Sequence, residues 1–180
     1  AHHYELFGGV SPINAQNREL VALLRRELPG AGVDLPVLLA NRNTPPYIPD
    51  VMQQCVDLGY RKVLVYITSG FSCYSGCRQY RENLMSAQEV LGGEAPAFDK
   101  IRVFYNHPLF IETVSDKVEE AIRLLPEAEQ ATARIVFTAH SIPQAMADTS
   151  HYTRQLGEAA RLVADHIEGF YAQAGLGSGA

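Results

Sequence analysis

The chain has 180 residues, 47% of them apolar, enough to bury a core without disulfide or metal staples. A formal charge of −5 with a sequence pI near 5.7 argues against binding nucleic acid or an anionic membrane, because both need a clustered excess of Lys and Arg. No apolar run approaches the roughly 18 residues of a membrane span, and the N-terminus lacks a secretory pattern. The three cysteines, Cys55, Cys73 and Cys77, contain no CxxC pair. A cytoplasmic domain with free thiols is expected, with a small molecule or another protein as partner.

In chain order, the glycine-rich turn Gly8-Gly9-Val10-Ser11-Pro12-Ile13-Asn14 lacks phosphate-loop spacing and feeds a helix. That helix spans about residues 14–28, with Leu20, Leu23, Leu24 and Leu28 on one face and Asn14 as its N-cap. An apolar run at 37–40 reads as the first strand, followed by Asn41-Arg42-Asn43-Thr44-Pro45-Pro46-Tyr47, a loop stiffened by its prolines. The second helix carries Val51, Met52, Cys55 and Val56 and stops at Gly59, with Cys55 buried as a small hydrophobe. The second strand, 63–67, opens a loop rich in hydroxyls, aromatics and basic groups that runs into a third helix at 79–91, ended by Gly92.

The third strand, 101–105, leads to Asn106-His107-Pro108, where His107 suits a hydrogen bond at a helix entry. The fourth helix holds Ile111, Val114, Val118, Ile122 and Leu125. The fourth strand, 135–139, ends at His140, and the last helix carries Leu156, Ala160, Val163, Ile167 and Phe170 at helical spacing. Residues 174–180, all Gly, Ala, Ser or Leu, read as a frayed tail. His2, His3, His151 and His166 receive no role.

Strands alternating with helices imply an α/β fold, an open parallel sheet covered by helices on both faces. Ligands of such sheets sit outside the carboxyl ends of the strands. His140, in Phe137-Thr138-Ala139-His140-Ser141-Ile142-Pro143, stands at such an end. Its imidazole could bind a divalent metal or exchange a proton near neutral pH, or serve as an ordinary turn histidine. The loop Thr68-Ser69-Gly70-Phe71-Ser72-Cys73-Tyr74-Ser75-Gly76-Cys77-Arg78-Gln79-Tyr80-Arg81-Glu82-Asn83 suits a flat aromatic ligand with acidic arms, since rings pack on its faces while hydroxyls and Arg meet carboxylates. A polar loop capping a helix is the alternative.

Five blocks in order resemble the ferrochelatases, above all the actinobacterial coproporphyrin type. They are Phe7-Gly8-Gly9-Val10-Ser11-Pro12-Ile13-Asn14, Asn41-Arg42-Asn43, the segment Tyr74 to Asn83, Tyr105-Asn106-His107-Pro108, and Thr138-Ala139-His140-Ser141-Ile142-Pro143. The resemblance implies a chelatase-like (flavodoxin/Rossmann-like) fold of two similar domains with a porphyrin between them. Residues 1–150 would form the first domain without its opening strand, and 151–173 a crossover helix toward a C-terminal half that this sequence does not contain.

The resemblance also implies insertion of Fe2+ into coproporphyrin III, with His140 as the metal-site histidine. Ser11 and Tyr80 match positions that contact the tetrapyrrole, and Arg42 and Arg78 are candidate partners for its propionates. Cys77 matches one ligand of a [2Fe-2S] cluster whose other ligands, like a glutamate facing His140, belong to the absent half. Two alternatives stand beside this reading: a cobalt chelatase of the same fold, against which the loop around Tyr80 argues, and a non-catalytic porphyrin-binding fragment.

Overall fold

The computed structural model describes residues 5, 6 and 8–173. The expectations for His2, His3, Phe7 and the tail at 174–180 fall outside the described residues. In chain order the elements are α1 (Ile13–Gly30), α2 (Ile48–Asp57), β1 (Lys62–Val65), a π-helical turn (Tyr74–Arg78), α3 (Gln79–Leu91), β2 (Ala97–Lys100), α4 (Pro108–Arg123), α5 (Glu127–Gln130), α6 (Gln144–Asp148) and α7 (Tyr152–Gln173). Ala97 N donates to Arg61 O at 3.0 Å and Ile101 N to Val65 O at 2.9 Å, so β1 and β2 advance together as a parallel pair joined through α3. The fold is α/β, helix-rich with a small parallel sheet.

The helix boundaries follow local chemistry. α2 and α3 are each followed by a glycine with positive φ, Gly59 at 75° and Gly92 at 63°. α1 begins at Ile13, so the expected cap Asn14 lies inside the helix; Pro12 just before it already holds φ and ψ of −71° and −13° and supplies no side-chain cap. α4 ends at Arg123, and Leu125 falls beyond it, because Pro126 disfavours helical backbone in the residue before it. His107 caps α4 as expected, its Nδ1 accepting from Leu109 N at 3.3 Å.

The expected four-stranded pattern is reduced. The run 63–67 is a strand over Lys62–Val65, but its partner is Ala97–Lys100, just ahead of the expected 101–105. The segments 37–40, 101–105 and 135–139 are irregular, apart from the bond from Ile101 to Val65. An apolar run marks a segment suited to burial, whereas a strand also needs a neighbour to complete its ladder. Val136, 79% exposed, and Phe137, 46% exposed, show how little covers the last of these runs. β1 and β2 alternate between exposed and half-buried residues instead of being covered on both faces.

The chain divides into two compact units, Ala1–Val63 with Glu82–Ala97, and Leu64–Arg81 with Phe98–Ala180. The first buries Ile48, Met52, Cys55, Leu84 and Ala87, while α1 has no fully buried residue. The second has a core of Tyr105, Ile111, Ile122, Ala159, Val163 and Ile167, with α4 packed on α7. On α7 the buried stripe is Gln155, Ala159, Val163 and Ile167, one position displaced at its start from the expected Leu156 and Ala160, which are half-buried. Phe170 lies outside the residues whose side chains are described. A polar Gln at the head of the stripe hides it from an apolar periodicity.

Candidate functional site

The loop after β1 folds into one tight turn in the second unit. Cys73 Sγ accepts from Gly76 N at 3.3 Å, and Cys77 N donates to Cys73 O at 2.9 Å. A Cβ on Gly76 would lie 2.8 Å from Ser69 Oγ, so a larger residue there would require the Ser69 hydroxyl to move. The π-helical turn that results runs directly into α3 and carries Cys77, Arg78 and Tyr80 on adjoining turns. Arg78 is exposed, with its guanidinium 5.9 Å from the centre of the Tyr74 ring, and Tyr80 is half-buried.

Cys77 has a partner that sequence reading missed. Lys100 Nζ, at the end of β2, donates to Cys77 Sγ at 2.7 Å. Twenty-three residues separate the two, and no spacing rule links them. All three cysteines are free thiols; Cys55 is buried, and burial pushes its thiol above its ordinary value of 9.0.

His140 is exposed in the irregular segment after Ile135. Its Nδ1 lies 2.6 Å from Ser141 O. A carbonyl oxygen can only accept, so the contact makes Nδ1 the donor, and the neutral ring presents its lone pair at Nε2. The Tyr152 hydroxyl donates to His140 O at 3.1 Å, fixing the backbone from which the ring projects. Among the described residues, no group of three or more His, Cys, Asp or Glu side chains is arranged to hold a metal ion.

Ser11 and Arg42 belong to the first unit. Ser11 is half-buried, and its Oγ accepts from Ile13 N at 3.4 Å, a local turn at the mouth of α1. Arg42 sits in a loop closed on itself, with Asn41 N donating to Pro46 O at 2.7 Å and Ile48 N to Asn41 O at 3.2 Å. Its Nε donates to Asn83 Oδ1 at 3.0 Å, and Asn83 is a second residue that sequence reading left without a role. The structure thus gathers Cys77, Arg78 and Tyr80 in one segment, carries His140 in the same unit, and holds Ser11 and Arg42 in the other. No helix of the described residues is long and apolar enough to cross a membrane.

A sequence profile described as Ferrochelatase matches residues 1–175. Over 165 residues the chain is 49% identical to a protein of Rhodopirellula baltica named "Ferrochelatase", covering 92% of this chain and 47% of that one. It is 46% identical over 169 residues to a "Coproporphyrin III ferrochelatase" of Streptomyces griseus, covering 92% of this chain and 45% of the relative. A protein of the same name from Mycolicibacterium smegmatis is 46% identical over 167 residues, 91% of this chain and 49% of its own length. The chain spans about half the length of the curated relatives it matches.

Proposed function

This chain belongs to the ferrochelatase family, and on that premise we propose that the protein it forms part of inserts ferrous iron into coproporphyrin III. The observation that carries the reading is the orientation of His140: with Nδ1 engaged by Ser141 O, Nε2 is the nitrogen left to meet a substrate. Insertion exchanges two pyrrole N–H protons for one Fe2+, both reactants being substrates. An imidazole held through Nδ1 can, in its neutral form, take up a pyrrole proton or pass the ion to the macrocycle through the Nε2 lone pair.

Ser11 and Tyr80 are assigned contacts with the tetrapyrrole, and Arg42 and Arg78 contacts with its propionates. A [2Fe-2S] cluster needs about four thiolates. This chain has three cysteines, one of them, Cys55, buried on α2, and Lys100 engages Cys77. The residues present do not make up a cluster site, and no step of the reaction is assigned to one. Free thiols suit a reducing compartment, and we assign the protein to the cytoplasm.

The test is to titrate the chain with coproporphyrin III and follow the Soret band, with His140→Ala as control. A saturable shift that weakens in the variant supports the reading. A chain that gives no shift, or a variant that gives the same one, sinks it.

A further inference from the structure

One face of α7 holds the loops of the second unit. Tyr152, Gln155 and Glu158 follow at intervals of three, so they share one side of the helix. Each grips a different segment. Tyr152 donates to His140 O at 3.1 Å. Gln155 Oε1 accepts from Ser72 N at 2.7 Å and from Ser72 Oγ at 2.9 Å. Glu158 accepts from Tyr105 Oη at 3.2 Å and from Asn106 Nδ2 at 3.1 Å. The Phe71 ring lies 6.3 Å, centre to centre, from each of the Tyr105, Phe110 and Tyr152 rings.

Gln155 stands out among the three. It is 4% exposed and heads the buried stripe otherwise made of Ala159, Val163 and Ile167. An apolar residue would serve that stripe without the cost of burying an amide. What the amide adds is a single oxygen that takes both donors of Ser72, so that the residue is fixed in place and in orientation. Ser72 immediately precedes the Cys73–Gly76 turn, and that turn is closed by the bonds from Gly76 N to Cys73 Sγ and from Cys77 N to Cys73 O. No slack lies between Ser72 and Tyr80, because the turn passes straight into α3.

We propose that Gln155 is a positioning residue for the tetrapyrrole. It acts through Ser72 to set the place of the turn and of Tyr80, and it never touches the ligand. The proposal rests on the reading of Tyr80 and its turn as a porphyrin-contacting segment. A helix that also ties down His140 and Asn106 sets three loops in register from one rigid element, which is how a site on loops gains precision.

The experiment measures coproporphyrin III affinity by fluorescence quenching, together with hydrogen exchange of the Ser72 amide, in the chain and three variants. Gln155→Met keeps the length of the side chain and removes the acceptor, Gln155→Glu restores an acceptor oxygen, and Ser72→Ala removes one donor. Gln155→Met should bind about tenfold more weakly, the effect of roughly one misplaced polar contact, and lose Ser72 protection. Gln155→Glu should recover most of both, whereas a purely structural role would move Ser72 protection and leave the affinity unchanged.

Affinity in folded Gln155→Met equal to that of the unaltered chain, with Ser72 protection lost, would overturn the proposal. Should Gln155→Met fail to fold, Ser72→Ala decides: a loss of about threefold supports the proposal, and unchanged affinity overturns it. If the unaltered chain does not bind coproporphyrin III, the tetrapyrrole reading fails and this role with it. Lost Ser72 protection in Gln155→Met would then mark a structural clamp alone.

Discussion

The phenolic hydroxyl of Tyr152 donates to the backbone carbonyl of His140 at 3.1 Å across twelve residues of sequence, tying the first turn of α7 to the segment that bears the candidate metal-site histidine. The bond is on the exposed side of the range, so its worth is modest. Tyr152→Phe should lower stability by about 0.5–1 kcal/mol, read as a shift of the urea midpoint with unchanged slope. A variant as stable as the parent would show that the hydroxyl contributes nothing beyond what water supplies.

Ile167 is 1% exposed and sits where α7 packs on α4. Ile167→Ala removes buried methyl groups and leaves a cavity, at a cost of about 2–5 kcal/mol. Denaturant unfolding checks this, and a loss below about 1 kcal/mol would mean that the core closes around the gap.

Ser115 has the opposite character. It is fully buried on α4, and its hydroxyl has no hydrogen-bond partner among the described residues. Ser115→Ala removes the unpaired group at nearly constant volume and should raise stability by about 1 kcal/mol. Ser115→Leu, forced into the same full burial, should lower it by about 1–3 kcal/mol. Thermal melts of the two variants should therefore move in opposite directions.

Cys55 gives a pH-dependent prediction. Burial raises its thiol above 9.0 in the folded chain, so the unfolded chain ionises first as pH rises. The stability tied to the protonated thiol is complete below that ordinary value and is lost as pH climbs through the folded one. Tyr66 is raised for the same reason from 10.0 and acts in the same direction at higher pH. Comparing unfolding free energies of the chain and Cys55→Ala at about pH 7.5 and pH 10 isolates the thiol: the fall should be shallower in the variant. Iodoacetamide should label Cys73 and Cys77 in the native chain and reach 3%-exposed Cys55 only on unfolding.

The sequence alone determined those features that depend on neighbours in the chain. The stops at Gly59 and Gly92, the entry of α4 at His107 and Pro108, and the burial of Cys55 each follow from a short-range preference that tertiary context did not oppose. The same holds for the order of the motif blocks, which carried the family resemblance. Strand pairing was different, because a ladder is a property of two segments. The apolar runs at 37–40 and 135–139 looked like strands and formed none, while 97–100, with Asp99 and Lys100, became one by lying beside β1.

The supporting residues of the candidate site were invisible for a related reason. Lys100 beside Cys77, Asn83 beside Arg42 and Gln155 beneath Ser72 are separated from their partners by 23, 41 and 83 residues. Only the folded chain brings such pairs within hydrogen-bond reach. His140 was expected at the end of a strand, and the segment before it forms none. That its Nδ1 meets Ser141 O was decided by the backbone conformation around it.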